Sequence, residues 1–113
     1  MTKQADKLST QSAVEGMGYV TCTAEPGMFN DELLVFIKGF DPKSPTAEIT
    51  VQVLVDSDLV EVDAKPERGR PAPGKLRVGV VTRRGELATV VLPQPGIPVG
   101  EAMLVKRDAL VKK

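Results

Sequence analysis

The chain has 113 residues, of which 42% are hydrophobic and 27% charged, with a formal net charge of zero. These are values of an ordinary globular domain and argue against disorder. Histidine is absent, which removes the commonest general base, proton shuttle and metal ligand. A single cysteine, Cys22, excludes an intrachain disulfide framework and a multi-cysteine metal cluster.

No stretch approaches the ~20 apolar residues of a membrane span, and Met1 to Lys7 lacks the apolar run of a secretory signal. The sequence therefore reads as cytoplasmic, with no membrane span. Aromatic residues are limited to Tyr19, Phe29, Phe36 and Phe40, too few for stacking platforms or aromatic cages. Valine occurs sixteen times; its β-branched side chain favours the pleated sheet, so the composition alone points to an all-β fold.

Residues 1–17 are polar and small and are expected to form a flexible N-terminal tail, leaving 18–113 as a single domain. Gly18–Ala24 predicts a first strand, and Glu25-Pro26-Gly27 a turn. Leu33–Gly39 is a continuous apolar run whose length suits a strand buried on both faces. Ala47–Val55 alternates, with Ile49, Val51, Val53 and Val55 on one side and Glu48, Thr50 and Gln52 on the other, as a half-buried strand does.

Asp56-Ser57-Asp58 breaks the pattern, and Val60 and Val62 resume it. The segment Lys65–Lys75 contains Pro66, Gly69, Pro71, Pro73 and Gly74 and predicts a long exposed loop. Leu76–Thr82 alternates again, Arg83-Arg84-Gly85-Glu86 predicts a tight hairpin turn, and Leu87–Leu92 a return strand. An irregular Pro/Gly crossing precedes a last strand over Glu101–Arg107. About seven short strands with Gly/Pro-rich connections predict a two-layer antiparallel β-sandwich of immunoglobulin-like type, with a small β-barrel as the alternative.

The zero net charge hides a division. Residues 1–63 carry four lysines against eleven carboxylates, a net −7, and residues 64–113 carry eleven bases against four carboxylates, a net +7. Acidic strands pairing with basic ones would account for this; so would a basic half facing an anionic partner, or complementary faces meeting between copies. The candidate partner-binding or nucleic-acid-binding residues are Arg68, Arg70, Lys75, Arg77, Arg83 and Arg84. Arg68-Gly69-Arg70-Pro71 resembles the core of an AT-hook, which implies an extended Arg-Gly-Arg lying in the DNA minor groove. The basic flanks of that motif are replaced here by Glu67 and by Ala72-Pro73.

Asp56, Asp58, Glu61 and Asp63 fall within eight residues, a density that suits calcium, but the EF-hand spacing is missing and alternation turns Asp58 away from Glu61 and Asp63. A solvated turn explains them better. Ser44, Ser57, Thr82 and Cys22 have no histidine to activate them, and Cys22 in a strand reads as a small buried hydrophobe. No catalytic residue, metal site or cofactor is called for. What remains is a non-catalytic interaction or assembly module, self-associating or docking on a larger complex, with an anion- or nucleic-acid-binding domain that uses the basic hairpin and the Arg-Gly-Arg-Pro loop as the alternative.

Overall fold

A computed structural model describes residues 16–111. The described chain runs through eight strands: β1 (Gly16–Pro26), β2 (Glu32–Asp41), β3 (Ser44–Asp56), β4 (Val60–Val62), β5 (Ala72–Arg84), β6 (Leu87–Gly96), β7 (Gly100–Lys106) and β8 (Leu110–Val111). Two short 3₁₀ turns, at Ser57–Leu59 and Arg107–Ala109, interrupt them, and no α-helix occurs among the described residues. The fold is all-β. Of the predicted tail, residues 1–15 lie outside the described residues, while Gly16 and Met17 are already part of β1, opposite Val80 and Gly79 of β5.

The strands are hydrogen-bonded in the order β3-β2-β7-β6-β5-β1-β8, and an additional β1–β2 ladder joins the two arms. One sheet therefore closes on itself through β1, β2, β7, β6 and β5, with β3, β4 and β8 attached outside that ring. The expected immunoglobulin-like sandwich is not confirmed; the barrel alternative fits. Both architectures bury alternate residues, and they differ in whether the walls are joined by backbone hydrogen bonds.

Closure happens along one edge of β2. Its first half pairs with the end of β1 from Leu33↔Pro26 to Phe36↔Thr23, and its far end pairs with β7 at Phe40↔Leu104. The crossing is tight: a Cβ placed on Gly39 would overlap the Leu104 carbonyl oxygen and the Met103 methyl. Only glycine lets the two backbones pass at this distance.

Alternation fills the interior. Val20, Cys22 and Ala24 of β1, Val35 and Ile37 of β2, and Val51, Val53 and Val55 of β3 all point inward, facing Leu76, Val78 and Val90 of β5 and β6 and Met103 and Val105 of β7. No polar or charged residue is buried among the described residues. Each such aliphatic side chain contributes about 1.5–3 kcal/mol when taken from water. The second face of β2 is not sealed, contrary to the expectation of burial on both faces: Leu34 and Phe36 are half-buried and Lys38 is exposed. The predicted 65–75 loop is also shorter than expected. β5 begins at Ala72 because β1 pairs with it from Ala24↔Ala72 onward, and Gly74 lets the β4 backbone approach, since a Cβ there would lie 2.6 Å from the Glu61 carbonyl oxygen.

The crossing makes a direct prediction. Gly39→Val forces the β2 and β7 backbones apart and is expected to cost about 3 kcal/mol or more. Val substituted at exposed Gly16, where nothing lies within 4 Å of the added Cβ, provides the control. Chemical denaturation of the two variants measures the difference, and equal midpoints would mean that the crossing does not hold the barrel closed.

Candidate functional site

The six basic residues singled out by sequence do not form one ribbon. Arg68 and Arg70 sit in a turn closed by Arg70 N–H donating to the Glu67 carbonyl at 2.9 Å, with Gly69 at φ +80°. A positive φ at the third position is what a type II turn requires. The turn leans on β1, where the Glu25 carboxylate accepts a hydrogen bond from Gly69 N–H at 3.5 Å. The Arg70–Glu67 ion pair spans 3.9 Å between exposed side chains and contributes little. The Arg-Gly-Arg segment is thus folded back on itself, whereas the AT-hook resemblance implies an extended one.

Lys75 and Arg77 project from the outer face of β5, Lys75 opposite Glu61 and Arg77 opposite Tyr19. Their alignment does not continue to Arg83. The β5–β6 register shifts between Val80 and Thr82, so β5 carries one extra residue, and a bulge of this kind turns the following side chains over. Thr82 then shares the outer face with Thr89, hydroxyl to hydroxyl at 3.4 Å, and Arg83 falls opposite buried Ala88. Arg83 lines a small groove at that end of the barrel with Met17, Arg107 and Leu110. Arg84 stands at the β5–β6 hairpin, where the Arg107 guanidinium donates to the Gly85 carbonyl at 3.1 Å. The 13 residues of β5 extend about 40 Å and place the Arg68–Arg70 turn and the hairpin at opposite ends.

A groove of about 500 Å³ lies where the barrel wall is incomplete. On this edge of β1 the β8 ladder ends at Val20 and the β2 ladder starts at Thr23, leaving Thr21 and Cys22 at an opening. Phe36 and Lys38 of β2 form one side, and Lys106 at the end of β7 with Asp108 in the following turn forms the other. Glu25, Glu48 and Asp108 set against Lys38 and Lys106 give a mixed rim that favours neither sign of ligand. Cys22 lines this opening while its side chain is buried in the core, and burial pushes the thiol pKa up to about 12, so it stays protonated at neutral pH and is a poor nucleophile. Among the described residues, no three of histidine, cysteine, aspartate or glutamate converge on a common point, and Asp56, Asp58, Glu61 and Asp63 are spread over the end of β3, a 3₁₀ turn, β4 and the residue after it.

Sequence reasoning missed a pair of exposed apolar residues. Met28 and Phe29, at the tip of the β1–β2 loop, are 85% and 69% exposed. The tip is held firmly. Gly27 N–H donates to the Glu32 carbonyl at 2.9 Å, Glu32 N–H to the Phe29 carbonyl at 3.1 Å, and Ser57 N–H to the Asp31 carbonyl at 2.8 Å. The Glu32 carboxylate also accepts from Met28 N–H at 3.0 Å. A Cβ on Gly27 would meet the Glu32 side chain at 2.9 Å, so glycine is what lets the carboxylate fold over the loop. The available signal was two large apolar residues between Pro26-Gly27 and Asn30-Asp31, where strand alternation cannot bury them.

No protein-family model, no curated protein and no solved structure matches this chain.

Cys22 titration carries a signed prediction. The folded-state pKa lies above the ordinary value of 9.0, so below that value thiol burial is fully compatible with folding, and the contribution is lost as pH rises from 9 toward 12 while the unfolded chain releases its proton first. The stability advantage of the wild type over Cys22→Ala should shrink across that window, as read by denaturation at pH 8, 9 and 10.5. A constant difference would show that the thiol does not titrate with unfolding.

Proposed function

We propose that this chain is a non-catalytic β-barrel module that works by protein association, self-associating or docking on a larger assembly. The observation supporting this reading is the pinned Met28–Phe29 tip. Two large apolar side chains stand in water on a loop whose backbone is fixed by four hydrogen bonds within the molecule and to Ser57. Exposed apolar groups of this size are characteristic of recognition surfaces, where methionine and phenylalanine are enriched. Holding the loop beforehand removes part of the ordering cost of binding.

The anion-binding alternative draws on Arg68, Arg70, Lys75, Arg77, Arg83 and Arg84, which the fold distributes over two ends and one wall. Association by apolar contact survives salt, whereas binding through these side chains weakens steeply as counterions compete. Sedimentation velocity over a concentration series, repeated at low and high salt and after nuclease treatment, tests the reading. Mass above that of the monomer that persists at high salt is expected. A strict monomer that retains only nucleic acid at low salt would transfer the function to the basic side chains.

A further inference from the structure

We propose that the outer face of the β2–β3 wall, with the Met28–Phe29 tip at its end, docks a segment of another protein in which lysine or arginine stands beside large apolar side chains. This inference rests on the association reading and names the chemistry of the partner. Five large apolar side chains are exposed among the described residues, and four of them, Met28, Phe29, Leu54 and Ile97, gather here. Alternation turns Glu32, Leu34 and Phe36 of β2 outward together with Gln52, Leu54 and Asp56 of β3. The register sets them in rows, Glu32 across from Asp56, Leu34 across from Leu54 and Phe36 across from Gln52. Ile97 extends the last row. It bridges Gln52 by two backbone hydrogen bonds of 2.8 and 3.1 Å, and residues paired across antiparallel strands project to the same side, which leaves Ile97 72% exposed beside Gln52. The tip joins the other end of the face, because the outward Glu32 carboxylate accepts from Met28 N–H.

Charge selects the partner. Glu32 and Asp56 line a groove of about 390 Å³ with Leu54, Gln94 and Pro95, and no base is among its lining residues. Asp31 and Asp58 lie just beyond, on two turns joined by the hydrogen bond from Ser57 N–H to the Asp31 carbonyl. Along β2 the first base is Lys38, past Phe36. Like charges directly across neighbouring strands disfavour their pairing, and one ammonium or guanidinium group set between Glu32 and Asp56 reverses that repulsion. Glu32 has the capacity for it, since a carboxylate accepts at both oxygens and Met28 N–H engages Oε1. The partner's apolar side chains then cover Leu54 and Ile97, so that a base and its apolar neighbour stand about 7 Å apart, the spacing of alternate residues in an extended segment. Phosphate-bearing surfaces, whether nucleic acid or anionic lipid, are repelled by the same four carboxylates, whereas a basic and apolar protein segment complements both features of the face.

The face is tested by amide chemical-shift titration of the full chain with the end-blocked peptide Lys-Ser-Leu-Ser-Leu, which sets one base and two apolar side chains on one side of an extended segment. Shifts are expected at residues 28–34 and 52–56 and at Ile97, with weaker binding of the counterparts Glu-Ser-Leu-Ser-Leu and Lys-Ser-Ser-Ser-Ser. Asp56→Lys should weaken binding at least ~10-fold, as reversal of an interface charge does, and Leu54→Ser about 5-fold, as loss of one aliphatic contact does. Glu86→Lys, the same charge change at the β5–β6 hairpin, should leave binding unchanged. Leu54 and Asp56 are both exposed, and far-ultraviolet circular dichroism confirms that the variants fold. Absence of shifts on this face, equal binding of either counterpart peptide, or equal weakening by Glu86→Lys overturns the partner chemistry. Occupancy by this chain itself also overturns it: carbodiimide coupling of Lys3 or Lys7 to Glu32 or Asp56 within a monomer would assign the face to the chain's own N-terminal residues, and a dimer abolished by Leu54→Ser would assign it to a second copy. The association reading is judged separately, since salt-resistant mass above the monomer in sedimentation keeps it, and a strict monomer that binds no peptide removes both.

Discussion

The fold depends on one backbone crossing. At Gly39 and Leu104 two strands approach more closely than any side chain would allow, and this lets β2 hand its edge from β1 to β7. The exchange converts what would be a sheet with two ends into a ring. It also fixes what the molecule can offer a partner. The interior of the five-strand ring is packed with valine, isoleucine, leucine and methionine, and no polar or charged residue is buried among the described residues. The surfaces it presents are the outer walls, the loops at the ends and the opening where the ladders on β1 diverge. The same geometry explains why Cys22 lines that opening yet behaves as a core residue: its backbone is at the gap, while its thiol belongs to the inward row with Val20 and Ala24.

Closure also decides where the charge goes. The acidic half of the sequence supplies β1, β2 and β3, and the basic half supplies β5, β6 and β7. The order β3-β2-β7-β6-β5-β1 keeps each group contiguous around the ring. One place where opposite charges face each other across strands is Glu61 opposite Lys75. Within the acidic group, Glu32 lies directly opposite Asp56, a like-charge placement that disfavours the pairing. Glu32 is engaged instead with the loop, accepting from Met28 N–H. The cost of two facing carboxylates is offset by the fixing of an exposed apolar tip, which is intelligible if the tip has something to bind.

Strand positions were legible because their signal is local. The alternation of Ile49, Val51, Val53 and Val55 placed the inward face of β3 without any knowledge of its neighbours, and the turn expected at Arg83-Arg84-Gly85-Glu86 lies one residue later, Arg84 pairing with Leu87 around Gly85 at φ +61°. Sandwich and barrel could not be separated, since the inward rows are the same in both and the difference lies in pairings between strands distant in sequence. Lys65–Lys75 looked like loop throughout because Pro73 and Gly74 weaken strand propensity, yet β1 and β4 on either side impose extended structure from Ala72. The basic set was over-read for a related reason. A period of two places Lys75, Arg77 and Arg83 together only in an uninterrupted strand, and the extra residue at Val81 inverts the count before Arg83 is reached.

The open strand edges bear on the proposed association. Edge strands invite pairing with another chain unless they are covered or broken. Here β8 covers part of β1 and β4 covers part of β5, and the free edge of β3 is closed at Gln52 by two hydrogen bonds with Ile97 of 2.8 and 3.1 Å. Pro93, Pro95 and Pro98 flank Ile97 and have no N–H with which to extend that bridge into a ladder. Toward the β2–β3 turn, the pairing jumps from Gly39↔Ile49 to Asp41↔Ser44, so Pro45 to Glu48 bulge out of register and offer no regular template. Strand addition is thereby discouraged along each of these edges. The association proposed above would then run through side chains on rigid supports, which can be specific without growing into an open-ended sheet.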